Sequence, residues 1–297
     1  MKLWNNLSKE ELEFQLRKDN HEFVTISFYQ YAKIKNPNLF RDHLFTMWQK
    51  IGVVGRTYIA NEGINAQIAV PSQNISLFIK ELYEIDFLDG VRMNYSIDDS
   101  AAEFSFLKLK IKVRSKILAD GLADRSFDVT NKGKHLKAKE FNEIISSNQT
   151  ILLDMRNHYE TEIGHFKGAI TPDVDTFRDS LKKIEEDYLI GNEDKNVVMY
   201  CTGGIRCEKA SAWYKHRGFK NVFQLEGGII KYSRDVAQNN LENKFIGKNF
   251  VFDERRGERI SDNVISSCHQ CGSQFDTHVN CANVNCNLLF LQCDSCK

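Results

Sequence analysis

Cys201 is the residue whose surroundings are best suited to chemistry in this chain of 297 residues. It lies between an apolar run that predicts a buried strand, Asn196 to Tyr200, and a predicted helix, Glu208 to Arg217. Sheets of alternating strands and helices bind ligands at this edge, beyond the carboxyl ends of their strands. The connecting residues predict an anion-binding loop and comprise Thr202, Gly203, Gly204 and Ile205.

The composition of this loop predicts an ionised thiol. Gly203 and Gly204 allow backbone N–H groups to point inward, and the following helix adds the positive end of its dipole. Arg206 adds a full charge. We therefore expect Cys201 to have a lowered pKa and to act as a nucleophile or persulfide carrier, with Arg206 stabilising the anion. The alternative is a structural cysteine in a glycine-rich turn.

The neighbouring residues narrow this chemistry. Cysteine phosphatases place an arginine one position further from the nucleophile, where this chain has Cys207, so phosphatase activity is disfavoured. Cys207 could resolve an oxidised Cys201, or it could simply pack on the sheet. Asp154 and Arg156, at the end of a preceding predicted strand, could hold the loop or contact substrate, or could form an internal ion pair that fixes the fold.

The elements that position this loop belong to two kinds of domain. Residues 1–118 predict a ferredoxin-like or acylphosphatase-like α+β sandwich of βαββαβ order. Its predicted elements are strand Phe23–Tyr29, helix Leu39–Ile51, strands Val53–Ala60 and Ile64–Val70, helix Ser72–Tyr83 and strand Leu107–Leu118. Residues 119–134 lose periodicity and predict a linker. Residues 135–240 alternate strand and helix, which predicts an α/β domain with a parallel sheet, and 241–297 form a cysteine-rich tail.

The last predicted strand of the first domain carries a row of cations. Apolar residues alternate with basic ones, so the basic side chains should share one face: Lys108, Lys110, Lys112, Arg114 and Lys116. Their spacing of roughly 6.6 Å approaches that of successive phosphates on single-stranded RNA. The row could therefore bind an RNA backbone. The alternative is an edge strand whose lysines prevent aggregation.

Six of the eight cysteines lie in the tail. Two Cys-x-x-Cys pairs, Cys268 with Cys271 and Cys293 with Cys296, predict a tetrahedral structural zinc site. Cys281 and Cys286 are left over, with His269 and His278 as possible extra ligands. Disulfide bonds are the alternative, which a reducing compartment disfavours.

Composition sets the remaining limits. The chain has 40 basic and 40 acidic residues, so any contact with nucleic acid must come from a local patch. It has no apolar run long enough for a membrane span, and its N-terminus is too charged for a signal peptide, which predicts a cytoplasmic protein. We find no glycine signature of flavin or NAD binding and no His-x-Asp…His iron triad.

Several motifs together resemble the bacterial rhodanese-domain family that hydroxylates the wobble uridine of tRNA. They are ANEGIN (60–65), LLDMRN (152–157), Glu160, GHFKGAI (164–170), CTGGIRCEKAS (201–211) and QLEGGI (224–229). The resemblance covers essentially the whole chain. It implies an acylphosphatase-like first domain, tRNA as partner, and molecular oxygen as co-substrate for hydroxylation at uridine C5. It also implies that Cys201 is required and passes through a persulfide.

Two other functions stay open from the residues alone. Cys201 could transfer sulfane sulfur to tRNA or to a small acceptor, from a donor that the sequence does not identify. Alternatively, Cys201 and Cys207 could form a redox or metal sensor without enzymatic activity.

Overall fold

The computed structural model describes residues 7–98, 102–122, 127–283, 285–286 and 288–297. They divide into two compact units, the first extending to residue 118 and including 253–255, the second comprising the rest from residue 119. Residues 123–126 of the predicted linker lie outside the described residues. Within the described ranges, every helix is too short or too polar to cross a membrane.

The first unit is built around a five-stranded sheet. Its elements are α1 (Lys9–Asp19), β1 (Phe23–Tyr31), α2 (Pro37–Lys50), β2 (Val54–Ala60), β3 (Gly63–Pro71), α3 (Ile75–Tyr83), β4 (Asn94–Tyr95) and β5 (Leu109–Val113). The strand order is β4-β1-β3-β2-β5. Strands β4, β1, β3 and β2 pair antiparallel with one another, whereas β5 runs parallel to β2.

The βαββαβ sandwich predicted from the sequence is confirmed, but its last strand was assigned wrongly. The strand that completes the order is β4, which pairs with Ile26 and Ser27 of β1. With only two residues it is too short to show an alternating pattern. The predicted strand Leu107–Leu118 is the shorter β5, which adds a fifth strand at the opposite edge of the sheet.

Helices α2 and α3 cover one face of this sheet. Their apolar stripes place Leu44, Trp48 and Phe78 against Phe28 and other inward residues of the strands, all of them buried. Helix α1 was not predicted, although the sequence contains its start signal. Ser8 Oγ accepts a hydrogen bond from the Glu11 backbone N–H, and the Glu11 carboxylate accepts one from the Ser8 N–H. This capping box satisfies two N–H groups of the first turn.

The second unit contains the parallel sheet that the alternation predicts. Its four strands run parallel in the order β6-β10-β9-β7. The unit consists of β6 (Lys134–Leu136), α4 (Ala138–Ile144), β7 (Thr150–Asp154), α5 (His158–Thr161), β8 (Gly164–Phe166), α6 (Phe177–Ile184), β9 (Asn196–Tyr200), α7 (Ile205–His216), β10 (Val222–Leu225), α8 (Gly228–Asn239), β11 (Phe245–Asn249), β12 (Glu258–Arg259), β13 (His278–Asn280) and β14 (Leu289–Leu291).

Two features of this unit differ from the sequence prediction. Helix α7 begins at Ile205, ahead of the predicted start at Glu208, because Gly204 adopts a φ of 104° and turns the chain directly into the helix. In addition, β11 pairs with β8 in a small antiparallel sheet with β12, so residues from the start of the predicted tail belong to the same unit as the cysteine loop.

Candidate active site

Cys201 lies at the carboxyl end of β9, and its side chain is completely buried. The backbone N–H of Gly204 donates a hydrogen bond to Cys201 Sγ over 3.1 Å. The early start of α7 places Arg206 and Cys207 in the first helical turn, where unpaired backbone N–H groups and the helix dipole favour an anion. The loop predicted from the sequence is therefore folded around the sulfur atom.

The electrostatics of this loop favour the thiolate. Burial by itself raises the pKa of the Cys201 thiol. The hydrogen bond from Cys207, the charge of Arg206 and backbone N–H groups outweigh burial and lower the pKa to about 6. Because this value lies below neutral pH, Cys201 is mainly a thiolate under physiological conditions.

Cys207 is the thiol partner of Cys201. It is fully buried, and burial followed by the hydrogen bond to Cys201 raises its pKa well above the ordinary value. Cys207 therefore keeps its proton and donates a hydrogen bond to the Cys201 sulfur. The contact is also the one that a resolving thiol would need, and the complete burial of Cys207 equally fits a residue that packs on the sheet.

Arg206 forms a buried ion pair that the sequence interpretation did not include. Its Nη1 and Nη2 donate to the two carboxylate oxygens of Glu160 over 2.5 and 2.8 Å. Glu160 is completely buried, and its Oε1 also accepts the Asn157 backbone N–H at the start of α5. Arg206 Nη2 additionally lies 3.4 Å from Thr202 Oγ1. Glu160 thus holds the guanidinium beside the cysteine loop.

Asp154 and Arg156 form a second buried ion pair behind the loop. Both side chains are fully buried, and Arg156 Nη2 donates to Asp154 Oδ2 over 2.7 Å. The same guanidinium donates to the backbone carbonyls of Gly164 and Glu160, so it ties the end of β7 to α5 and β8. Because both side chains are bound to each other and Arg156 also to the backbone, the geometry favours the interpretation of an internal ion pair that fixes the fold.

The turn at Gly227 and Gly228 packs against the backbone of the cysteine loop. The backbone N–H groups of Ile229 and Ile230 donate to the carbonyls of Cys201 and Thr202. Gly228 has a φ of 65°, and a Cβ placed there would lie 2.5 Å from both carbonyl oxygens. The QLEGGI motif therefore requires glycine at this position for the backbone of the loop to approach so closely.

The cysteine-rich tail contacts the helix that carries Glu160. Glu162, at the end of α5, accepts a hydrogen bond from His278 Nε2 over 2.8 Å on one oxygen and contacts His269 Nε2 at 3.2 Å on the other. His278 is almost completely buried. Ile163 and Leu291 pack together in the same region. The tail thus supports the position of α5.

The tail also brings together the four cysteines of its two Cys-x-x-Cys pairs. One Sγ atom from each of Cys268, Cys271, Cys293 and Cys296 lies within 4.8 Å of the others. Cys268 and Cys293 are buried, and all four are free thiols. Cys281 and Cys286 lie outside this cluster.

The predicted basic row is only partly a strand. Lys110 and Lys112 lie on one face of β5, whereas Lys108 and Arg114 flank it and Lys116 lies beyond it. Hydrogen bonds from the Gly55 N–H to the Lys108 carbonyl and from the Arg114 N–H to the Ile59 carbonyl extend the pairing with β2 at both ends. Because β5 is an edge strand, RNA binding and protection against aggregation both stay compatible with its place in the sheet.

We predict that Cys201 titrates well below an ordinary thiol. The thiolate fraction should fall as pH decreases through about 6, and at neutral pH roughly nine-tenths of Cys201 should be ionised. The ultraviolet thiolate absorbance of the wild type minus that of Cys201→Ser measures this titration without requiring a reagent to reach the buried sulfur. A midpoint near the ordinary thiol range would contradict the prediction.

Comparison with known proteins agrees with this architecture. Residues 23–117 match the family described as UPF0176 acylphosphatase like domain, residues 137–235 the Rhodanese-like domain, and residues 246–297 the Rhodanase C-terminal family.

Three relatives named tRNA uridine(34) hydroxylase match over 295 residues, which is 99% of this chain. The protein from Leptospira interrogans is 52% identical, with 80% of its own length covered. Those from Salmonella arizonae and from Escherichia coli strain SE11 are 51% and 49% identical, each with 83% covered. These alignments cover nearly the whole chain and so include all three matched domains. The chain therefore belongs to the tRNA uridine(34) hydroxylase family.

Proposed function

We propose that this protein hydroxylates C5 of the wobble uridine of tRNA and that Cys201 is the reacting thiolate. The observation that carries the proposal is a thiolate-stabilising loop, with Gly204, Arg206 and Cys207 around one sulfur, in a chain about half identical to proteins named for this activity. Hydroxylation is a two-electron oxidation of the base. With dioxygen as co-substrate, one oxygen atom enters at C5, and the other leaves as water after reduction by two electrons from a thiol reductant. A tRNA substrate also supports our expectation of a cytoplasmic location.

The loop suits a sulfur intermediate as well as a free thiolate. A thiolate can attack the sulfane sulfur of a thiosulfate or persulfide donor, which breaks the donor's own S–S bond and releases sulfite or a thiolate. The transferred sulfur is then carried as a persulfide, whose terminal sulfur is again an anion. The Gly204 N–H and the guanidinium of Arg206 would stabilise that charge as they do the thiolate. This property also supports the alternative function, transfer of sulfur to tRNA or to a small acceptor.

Nucleoside analysis separates these functions. Mass spectrometry of tRNA from cells lacking the gene should show loss of C5-oxygenated wobble uridine, and the wild-type gene should restore it. Loss of thiolated uridine instead would identify a sulfurtransferase that acts on tRNA. If neither nucleoside changes, the tRNA-modification proposal fails, and a redox or metal sensor based on Cys201 and Cys207 becomes the better explanation.

The four clustered thiols also lead us to propose a structural zinc site in the tail. Tetrahedral zinc with Zn–S bonds of about 2.3 Å separates its sulfur ligands by about 3.8 Å. The Sγ atoms of Cys268, Cys271, Cys293 and Cys296, within 4.8 Å of one another, already approach this spacing. Four thiolates would fill the coordination sphere, so the metal would stabilise the tail and leave no position for substrate.

We predict that the purified protein contains about one zinc ion per chain and that Cys293→Ser loses it. Elemental analysis with a thermal melt measures both metal content and stability. Cys281→Ser is the matched control, because Cys281 lies outside the cluster and should keep its metal. Full zinc content in Cys293→Ser, or disulfide bonds between these cysteines in the native protein, would disprove the site.

A further inference from the structure

The sheet of the first unit presents two rows of polar side chains away from its helices. Alternate strand residues point inward to the core, and their neighbours point outward. Strand pairing aligns one outward row across four strands as Tyr29, Asn65, Tyr58 and Lys112. The adjacent row, two residues along each strand, is Ser27, Gln67, Arg56 and Lys110. None of these eight side chains is acidic.

The side chains of these two rows are at least partly exposed to solvent, whereas those at the other end of the same sheet face are buried. Beyond the second row, Thr25, Val54 and Ala69 are buried, and Val54 and Ala69 pack with Phe106 and with Leu16 of α1. All eight residues of the two rows are partly or fully exposed. The open region is therefore bounded on one side by α1 and, at Asn65, by the chain after β5, where the Ile117 carbonyl accepts a hydrogen bond from the Asn65 side chain.

The exposed side chains combine aromatic rings with cations. Tyr29 lies next to Tyr31 on the same strand, with ring centroids 6.4 Å apart. The Arg114 guanidinium lies 5.8 Å from the centre of the Tyr58 ring. Arg56, Lys110 and Lys112 extend the positive charge along the β2–β5 edge. We name Tyr29, Tyr58, Arg56, Lys110, Lys112 and Arg114 the tyrosine face.

We propose that the tyrosine face binds unpaired nucleotides of the tRNA anticodon loop, with bases stacked on the tyrosines and phosphates bound by the cations. This inference rests on the proposed function, in which the substrate uridine lies in that loop. Neighbouring strands lie about 4.8 Å apart and same-face residues about 6.6 Å apart, distances over which an extended RNA strand presents successive bases and phosphates. Open sheet faces with exposed aromatic residues bind single-stranded RNA in this way.

Single-stranded RNA fits this face better than a duplex or an acidic peptide. The cations alone would attract any polyanion, because phosphate contacts carry little sequence or structural information. The tyrosines add a surface that only an unstacked base can use, since paired bases in a helix already stack on each other. Affinity for unpaired RNA should therefore depend on the rings, whereas affinity for other polyanions should depend on charge only.

Binding of a labelled anticodon stem-loop RNA to the full-length protein, followed by fluorescence anisotropy, tests the proposal. Tyr58→Leu should weaken binding about tenfold, the order expected for one lost stacking contact, without changing the salt dependence. Tyr58→Phe, which keeps the ring, should bind within about twofold of the wild type. Lys112→Ala should weaken binding. It should also reduce by about one the slope of the logarithm of the binding constant against the logarithm of the salt concentration. Reversing charge at Lys110 and Lys112 should enlarge both effects.

Controls separate this inference from misfolding and from the proposed function. Phe14→Leu removes an exposed ring from α1, outside the tyrosine face, and should bind RNA normally. Tyr29→Leu removes a second ring within the tyrosine face. Thermal melts show whether each variant is folded. A fully paired RNA of equal length and a polyglutamate peptide should be insensitive to Tyr58→Leu. Wild-type affinity in both leucine variants, or an equal loss on the duplex or the peptide, would overturn the tyrosine face even if hydroxylated uridine is formed. Absence of that nucleoside with intact RNA binding would instead reject the proposed function.

Discussion

Replacement of Cys201 by serine should abolish hydroxylated wobble uridine while leaving the fold intact. A serine hydroxyl is not ionised near neutral pH and cannot carry a sulfane sulfur, so neither proposed form of the nucleophile survives. We expect a loss of at least about a thousandfold, the order seen when enzymes lose their nucleophile. The hydroxyl can still accept the Gly204 N–H, so the loop should keep its conformation.

The measurement is the nucleoside content of tRNA from a deletion strain that expresses the variant, together with a thermal melt of the purified protein. Cys281→Ser is the matched control for the loss of one thiol, because Cys281 lies far along the chain from the loop and outside the thiol cluster. Wild-type levels of hydroxylated uridine in Cys201→Ser would end the assignment of Cys201 as the nucleophile.

The buried pair of Arg206 and Glu160 should produce the second large effect. Removing one partner leaves the other charge buried without its bound counter-ion, which costs about 3–5 kcal/mol of stability in comparable pairs. In Glu160→Gln the nearby Cys201 thiolate offsets part of this cost. Arg206→Gln and Glu160→Gln should therefore each destabilise the protein, and the double variant should recover much of this loss. Denaturant unfolding of the two single variants and the double variant gives the coupling energy.

The same variants separate folding from thiol activation. The charge of Arg206 lowers the pKa of Cys201, so that pKa should rise in Arg206→Gln and stay raised in the stable double variant. Hydroxylated uridine should decrease in both. Glu160→Gln should change the pKa in the opposite direction, because the guanidinium then acts on the thiolate without its counter-charge. A Cys201 midpoint unchanged in Arg206→Gln would show that the hydrogen bonds alone activate the sulfur.

The most predictable parts of the fold are those encoded by neighbouring residues. Strand β9 has the predicted limits because a buried parallel strand contains a continuous apolar run. The cluster of four thiols is also predictable, because each Cys-x-x-Cys pair supplies two sulfur atoms from one turn and a tetrahedral site needs two such pairs. Helix α1 was missed because its sequence is mostly charged, although Ser8 and Glu11 form a recognisable capping box.

Other parts depend on the path of the whole chain. The two residues of β4 carry no periodic signal, so only their pairing with β1 identifies them as the strand that completes the sandwich. Glu160 and Arg206 are separated by 46 positions, and nothing near either residue marks the other as its partner. The same holds for the tyrosine face, where strand register alone brings Tyr29, Tyr58 and Lys112 into one row.

The amino-acid sequence by itself determined that a cysteine follows a buried strand, that glycines shape its loop, and that two Cys-x-x-Cys pairs lie in the tail. These properties arise from residue types at short spacing, where backbone geometry leaves few alternatives. The tertiary structure decided which distant groups surround that cysteine: Glu160 on Arg206, the Gly228 turn against the loop, and His269 and His278 on the helix carrying Glu160. Contacts of this kind form only when the folded chain brings remote segments together, because the interactions of charge and packing act over ångströms and not over sequence distance.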